Sequence, residues 1–335
     1  MAHELTQRAD GMTEMAYVGE TPWHGLGQQL EQGAPIERWI EAAGMDFTIR
    51  RAPVMYHADR AQTRLEVFGG QDVLLRSDTG APLGIVSPQY NIVQPFEVLE
   101  FFRDLVSDHG FTLETAGTMF GGRRYWGLAK ITEATMAGWD RIGGYLLLST
   151  SADGSFASEA RETTIRVVCN NTLSCAVAQN PGKHYAKINH RSAFDSKALQ
   201  AQLGLGAEHF AAFTELANQL TKAKVTQAAA EDFVLNLLRP SNAEAMAEES
   251  GIDEIVKTRT PRGYDMILGL FGGEGLGSTE KGSAGTAWGL VNAVTEYVDH
   301  HSTAKSTDHR LARAWWGSGD ALKVTAMEQA IDTFC

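Results

Sequence analysis

Cysteine is scarce in this chain. Cys169, Cys175 and Cys335 are the only three among 335 residues, and the spacing of the first two fits neither a redox Cys-X-X-Cys pair nor a zinc knuckle. They read as reduced thiols, the first two as apolar filler of a core. Long apolar runs are missing as well: no stretch approaches the ~20 residues of a membrane-spanning helix. The start, MAHELTQRADGM, has no basic segment followed by an apolar core, so no secretion signal is expected and the chain is placed in the cytoplasm. Positive charge is in the minority, with 29 Lys and Arg against 41 Asp and Glu and a formal net charge of −12. Such a balance argues against a protein that coats nucleic acid indiscriminately. Two nucleotide and metal signatures are also lacking. The glycine-rich run Gly277-Ser278-Thr279-Glu280-Lys281-Gly282-Ser283 has lysine and glycine in the wrong order for a phosphate loop, and no His-Glu-X-X-His occurs.

The composition that remains, 43% hydrophobic and 21% charged, is that of a folded chain. Its charge is unevenly spread. Residues 1–110 hold 8 basic and 16 acidic side chains, residues 111–200 hold 10 and 7, and residues 201–335 hold 11 and 18. A positive middle lies between two acidic flanks.

The pattern of elements predicts an irregular arm over residues 1–34, pinned by Trp23, then a short helix near Trp39 and small strands over residues 45–90. Gln94-Pro95 opens a helix whose stripe is Phe96, Leu99, Phe102 and Val106, and Gly110 closes it. Strands follow at residues 111–119, 124–129, 144–151 and 155–168, with Gly121-Gly122 and Asp153-Gly154 as turns. A second helix is expected at residues 170–178, capped by Asn170, Asn171 and Thr172, a helix start that could also face an anion. Helices are then expected at residues 194–220, 228–238, 264–270 and 287–298, with a last one capped by Asp320. The fold class is α+β: an antiparallel β meander with packed helices, followed by a mainly helical C-terminal part. Three regions are expected: residues 1–90 on the core, the core itself at 91–182, and a basic loop with helices at 183–335.

Two clusters carry chemistry. Arg123, Arg124, Tyr125 and Trp126 put guanidinium groups beside aromatic rings at a turn, the makings of a single-strand site in which cations meet phosphate and rings stack on bases. The competing reading packs Tyr125 and Trp126 on opposite faces of a sheet and leaves the arginines solvated. The second cluster, Gly182 to Arg191, holds Lys183, Lys187 and Arg191 with no acidic residue among them, a phosphate track or a solvated linker. Arg161 and Arg166 could extend the positive face, or Arg166 could be a structural pairing residue. A metal reading has less behind it. His184, His190, Asp299, His300, His301 and His309 lack ligand spacing, and Asp153, Glu159, Glu162 and Asp195 form no magnesium signature. No catalytic residue, metal or cofactor is assigned, and a binding protein is favoured over an enzyme.

Several segments resemble the phage/plasmid-like family of uncharacterised proteins that share domain of unknown function 932. They are Pro22-Trp23-His24-Gly25-Leu26-Gly27, Tyr90 with Val93-Gln94, Gly121-Gly122-Arg123, Arg166-Val167-Val168-Cys169-Asn170-Asn171-Thr172-Leu173, and the run from Trp288 to Tyr297. The resemblance implies a mobile-element origin and carries no established activity. The order of elements alone is similar to that of phage single-strand annealing proteins. That likeness implies binding of single-stranded DNA by a homo-oligomer without a cofactor, acting in recombination, and transfers no residue. A metal-dependent nucleic-acid enzyme, or a protein-interaction module acting on a host protein through acidic flanks, are the alternatives.

Overall fold

The computed structural model describes residues 6–8, 10–19, 22, 25–136, 140–166, 171–174, 185–203, 207–239, 260–305 and 307–335. Two sheets organise the chain. The larger has eight strands: β1 (Met15–Val18), β2 (Gln28–Leu30), β6 (Thr112–Met119), β7 (Arg124–Met136), β8 (Asp140–Ser151), β9 (Ser158–Arg166), β10 (Asn171–Ser174) and β11 (Tyr185–Ile188). Their order is β10-β9-β8-β7-β6-β1-β2, and β11 also lies along β9. All pairs are antiparallel except β1 with β2. The smaller sheet is β3 (Ile49–His57), β4 (Leu65–Arg76) and β5 (Pro82–Val86) in sequence order.

Local chemistry accounts for the helix that opens the meander. In α2 (Pro95–His109), which follows α1 (Ile36–Ala42), the Gln94 and Glu97 side chains cap reciprocally, Pro95 occupies the first turn, and Gly110 takes a left-handed φ of 71° at the stop. Its stripe of Val98, Leu99, Phe102 and Leu105 joins Trp39, Phe47, Tyr125, Leu146 and Leu148 in one core. The opposite face of the same strands, with Trp126, Leu128, Tyr145 and Leu147, meets Leu311, Trp315 and Trp316. A sheet covered on both sides reads as nearly continuous burial, and eleven of the twelve residues of β8 are buried. A third core lies among α4 (Ala207–Leu220), α5 (Gln227–Leu238), α7 (Ala287–Glu296) and α9 (Ser318–Phe334), with Met136 and Ile142 reaching in from the sheet. The remaining α-helices among the described residues are α3 (Ser196–Leu203), α6 (Tyr264–Gly269) and α8 (Thr307–Trp316). The architecture is α+β with a helical C-terminal part.

Several local expectations are corrected. Residues 171–174 are not the first turn of a helix but a strand, paired through Asn171 with Arg166 and through Thr172 with Ile165. Polar residues that cap a helix equally satisfy a sheet edge, and here the Thr163-Thr164-Ile165 run of β9 offers an edge to pair with. The arm at residues 1–34 contributes β1 and β2 to the rim of the large sheet; Trp23 lies outside the described residues. The helix expected at residues 194–220 is two, with Gly204 and Gly206 in the sequence between α3 and α4. The last helix begins at Ser318 after Gly317, which places Asp320 in its first turn rather than at its cap.

Candidate nucleic-acid interface

Antiparallel pairing brings separate parts of the sequence to one end of the large sheet. Arg124 at the start of β7 pairs with Ser151 at the end of β8, and Ser158 at the start of β9 pairs with Ile188 at the end of β11. The β6–β7 turn, the β8–β9 turn and the segment after β11 therefore share that end. Between the last two and the end of β5 is a cleft of about 390 Å³. It is lined by Ile85, Tyr90, Asp153 and Phe156 on one side of the chain order and by Lys187, His190 and Arg191 on the other.

Lys187, Arg191 and Arg123 are exposed, and among the described residues none of them forms an ion pair. Arg124 is half-buried beside rings: its guanidinium lies 5.1 Å from the centroids of both Phe120 and Phe156, and its Nε donates to Ser155 Oγ at 3.3 Å. Phe156 stacks in turn on Trp316, 5.8 Å between centroids, and Phe120 meets the His309 ring edge-on at 5.2 Å. Phe120 has φ of 54°, followed by Gly121 at 72° and Gly122 at 89°. A left-handed phenylalanine is a sterically costly conformation that the surrounding structure has to hold in place. Gly122 is required here, because a Cβ would lie 2.8 Å from Arg76 Nη1 and 3.0 Å from Phe47 Cζ.

Tyr90 and His190 form the floor of the cleft, stacked at 4.4 Å and 20°. Tyr90 donates its hydroxyl to Ser151 O at 2.7 Å, and burial first of all pushes its ionisation up. Both ring nitrogens of His190 lie 3.1 Å from carbonyl oxygens, Nδ1 from Asn91 and Nε2 from Phe156. A neutral imidazole has one N–H, so it donates to only one of them. Burial lowers the His190 pKa, with the two carbonyls and Asp153 acting against it.

The sequence candidates thus separate. Arg123, Arg124, Lys187 and Arg191 come together at this end of the sheet. Tyr125 and Trp126 do not take part: they are 1% and 0% exposed, on opposite faces of β7, so neither offers a ring to a base. The Tyr125 hydroxyl donates to Val93 O. Arg161 lies within β9, pairs with Glu159 of the same strand, and holds the C-terminal helices through Asp320 at 2.6 Å and Trp315 O at 2.8 Å. Arg166 ends β9 at the opposite end of the sheet, between Asn171 of β10 and Ile142 of β8. Lys183 lies outside the described residues, as do His184, Cys169 and Cys175. Of the carboxylates weighed for magnesium, Asp153 lines the cleft, Glu159 pairs with Arg161, and Glu162 is buried on β9. Among the described residues no group of three or more His, Cys, Asp or Glu side chains is arranged to hold a metal ion. Among the described residues no helix is long and apolar enough to cross a membrane.

The ring-bearing residues missed by sequence reasoning are Phe120, Phe156, Tyr90 and Trp316. Phe120 directly precedes Gly121 and Phe156 follows Gly154 by two residues, and that proximity to the turns was the available signal. Trp316 has none, since only the fold sets it against Phe156.

The fold and this end of the sheet define an α+β protein with a half-open, cation-bordered cleft walled by aromatic rings. The chain belongs to the family described as domain of unknown function (DUF932), whose model matches residues 82–316 and so takes in the meander, the cleft and most of the helical part. No curated protein and no solved structure matches it.

Proposed function

We propose that the protein binds single-stranded nucleic acid at this end of the large sheet. The phosphates run past Arg123, Arg124, Lys187 and Arg191, and bases stack on Phe156 and Phe120. The observation that supports the reading is the convergence of two basic segments, more than sixty residues apart in sequence, on one end of the large sheet, where Lys187 and Arg191 line a cleft whose Phe156 ring lies against Arg124. A strand whose backbone is neutralised by cations and whose bases meet aromatic faces needs no base-specific contacts, which suits annealing or protection during recombination. The motif resemblance to phage and plasmid proteins supports placing this activity on a mobile element inside its host cell.

Fluorescence anisotropy of a labelled single-stranded oligonucleotide across a salt series tests the proposal. Four phosphate contacts predict a slope of log affinity against log salt of about −2.8, and the Arg123→Ala/Arg124→Ala or Lys187→Ala/Arg191→Ala pairs reduce it to about −1.4. Phe156→Ala weakens binding by about 1–3 kcal/mol with the slope unchanged. Absence of binding at low salt by folded protein, or variants with the parent slope, refutes the site. Cleavage on addition of magnesium would replace binding by nuclease chemistry.

A further inference from the structure

His190 joins three parts of the cleft through its own hydrogen bonds. Asn91 N donates to His190 O at 2.5 Å, which ties the segment after β11 to the chain before α2. The ring supplies the other two ties, Nδ1 to Asn91 O and Nε2 to Phe156 O at the β8–β9 turn. Lys187 and Arg191, on either side of it in sequence, line the same cleft. A clamp suited to neutral imidazole offers the ring one donor and one acceptor. Both partners here are main-chain carbonyls, which only accept, so the neutral ring turns a lone pair toward one of them while imidazolium donates to both. Hydrogen-bond geometry thus favours the charged form. Burial opposes it and holds the pKa of the free chain below the ordinary histidine value.

The surrounding charges are divided. Asp153 on the β8–β9 turn favours protonation of the ring. Lys187 and Arg191 on its own segment oppose it, as does Arg124 against the Phe156 ring. Arg51 of β3, which donates to Ser87 O and Tyr90 O, is offset by Asp72 at 2.7 Å, and burial keeps the stacked Tyr90 hydroxyl neutral. Phosphates lying along Lys187 and Arg191 cancel the cations that oppose the proton and leave the two carbonyls and Asp153 in its favour. We infer that His190 is a positioning residue that takes up a proton when a polyanion enters the cleft, its imidazolium then fixing the 187–191 segment to both carbonyls. The inference rests on the nucleic-acid reading of the cleft and adds its regulation by pH. Linkage gives the sign: affinity rises as pH falls through the His190 pKa of the complex and levels off below that of the free chain. Within that window each pH unit carries up to about tenfold in affinity.

Calorimetric titration of the full chain with a single-stranded thymidine oligonucleotide, whose bases exchange no proton near neutrality, is the test. Repeating it at about pH 6.5 in two buffers of unlike ionisation heat counts the protons taken up on binding. His190→Asn and His190→Gln keep one N–H donor and cannot take up the proton. The parent takes up a fraction of a proton that both variants lack. Its affinity by anisotropy rises about fivefold more than theirs between about pH 8 and about pH 5.5. A histidine that merely holds structure would shift affinity alike at every pH. Thermal melts identify a folded variant; should neither fold, the His190 ring proton resonances, displaced by the stacked Tyr90 ring, report the same rise of pKa in the parent when oligonucleotide is added. No uptake by the parent, equal pH slopes in the parent and a folded variant, or an unmoved His190 titration overturns the inference and leaves the nucleic-acid reading in place. Absence of binding at every pH removes both.

Discussion

Arg76→Met removes the one cation from a buried cluster that joins the two sheets, and its cost follows from the geometry. Arg76 and Glu14 are 3% and 2% exposed. Two guanidinium nitrogens donate to the Glu14 carboxylate at 2.7 and 3.1 Å, and two reach Asp78 at 2.8 and 3.0 Å. The guanidinium also lies 3.8 Å over the Phe47 ring and donates to Gly121 O at 3.3 Å, under the turn that carries Arg123. Burial acts to lower the Arg76 pKa, but the hydrogen bonds and charges of Asp78 and Glu14 outweigh it and raise the value, so the group stays charged. Methionine fills much of the same volume, so the loss is electrostatic: Glu14 is left in the interior with the Thr118 hydroxyl as its remaining side-chain partner. Breaking a buried pair from one side costs about 3–5 kcal/mol, whereas replacing both partners is close to neutral. Urea unfolding followed by tryptophan fluorescence should show that loss with an unchanged denaturant slope, and Glu14→Gln/Arg76→Met should recover more than half of it. A single-variant loss below about 1 kcal/mol, or a double variant equal to the sum of the singles, would refute this account of how the small sheet is held.

Two further outcomes follow from packing and from protonation. Gly289→Ala would place a Cβ 2.0 Å from the Ser283 carbonyl oxygen, inside the buried start of α7, so a thermal melt should show destabilisation at or beyond the ~1–3 kcal/mol usual for overpacking. Since burial lowers the His190 pKa in the folded chain, the unfolded chain takes up the proton first. Stability should fall as pH drops below about 6.5 toward the folded-state pKa and be flat above it. A His190→Asn variant should show a smaller difference between urea midpoints at pH 7.5 and pH 5.5 than the parent, and equal differences would rule the residue out.

What was legible in the sequence is what local chemistry decides. The Gln94-Pro95 start and Gly110 stop of α2 rest on backbone groups within a few residues of one another, and so do the Gly121-Gly122 and Asp153-Gly154 turns and the antiparallel strands they join. The α+β class follows from those short connections. The basic residues at this end of the large sheet were visible as charge, because no immediate neighbour of Arg123, Lys187 or Arg191 in the sequence offsets it.

The rest depends on partners that the chain supplies from far away. Alternation placed Tyr125 and Trp126 on opposite faces of β7, but whether either face meets solvent depended on α2 and α8 covering both. Arg161 is indistinguishable from a phosphate ligand until Asp320, 159 residues later, is set against it. The same holds for residues 171–174, whose capping pattern is satisfied equally by a helix start and by the edge of β9. A local pattern fixes which hydrogen bonds and apolar faces must be satisfied; only the tertiary structure selects the groups that satisfy them, because burial and pairing energies exceed the small local preferences of each residue.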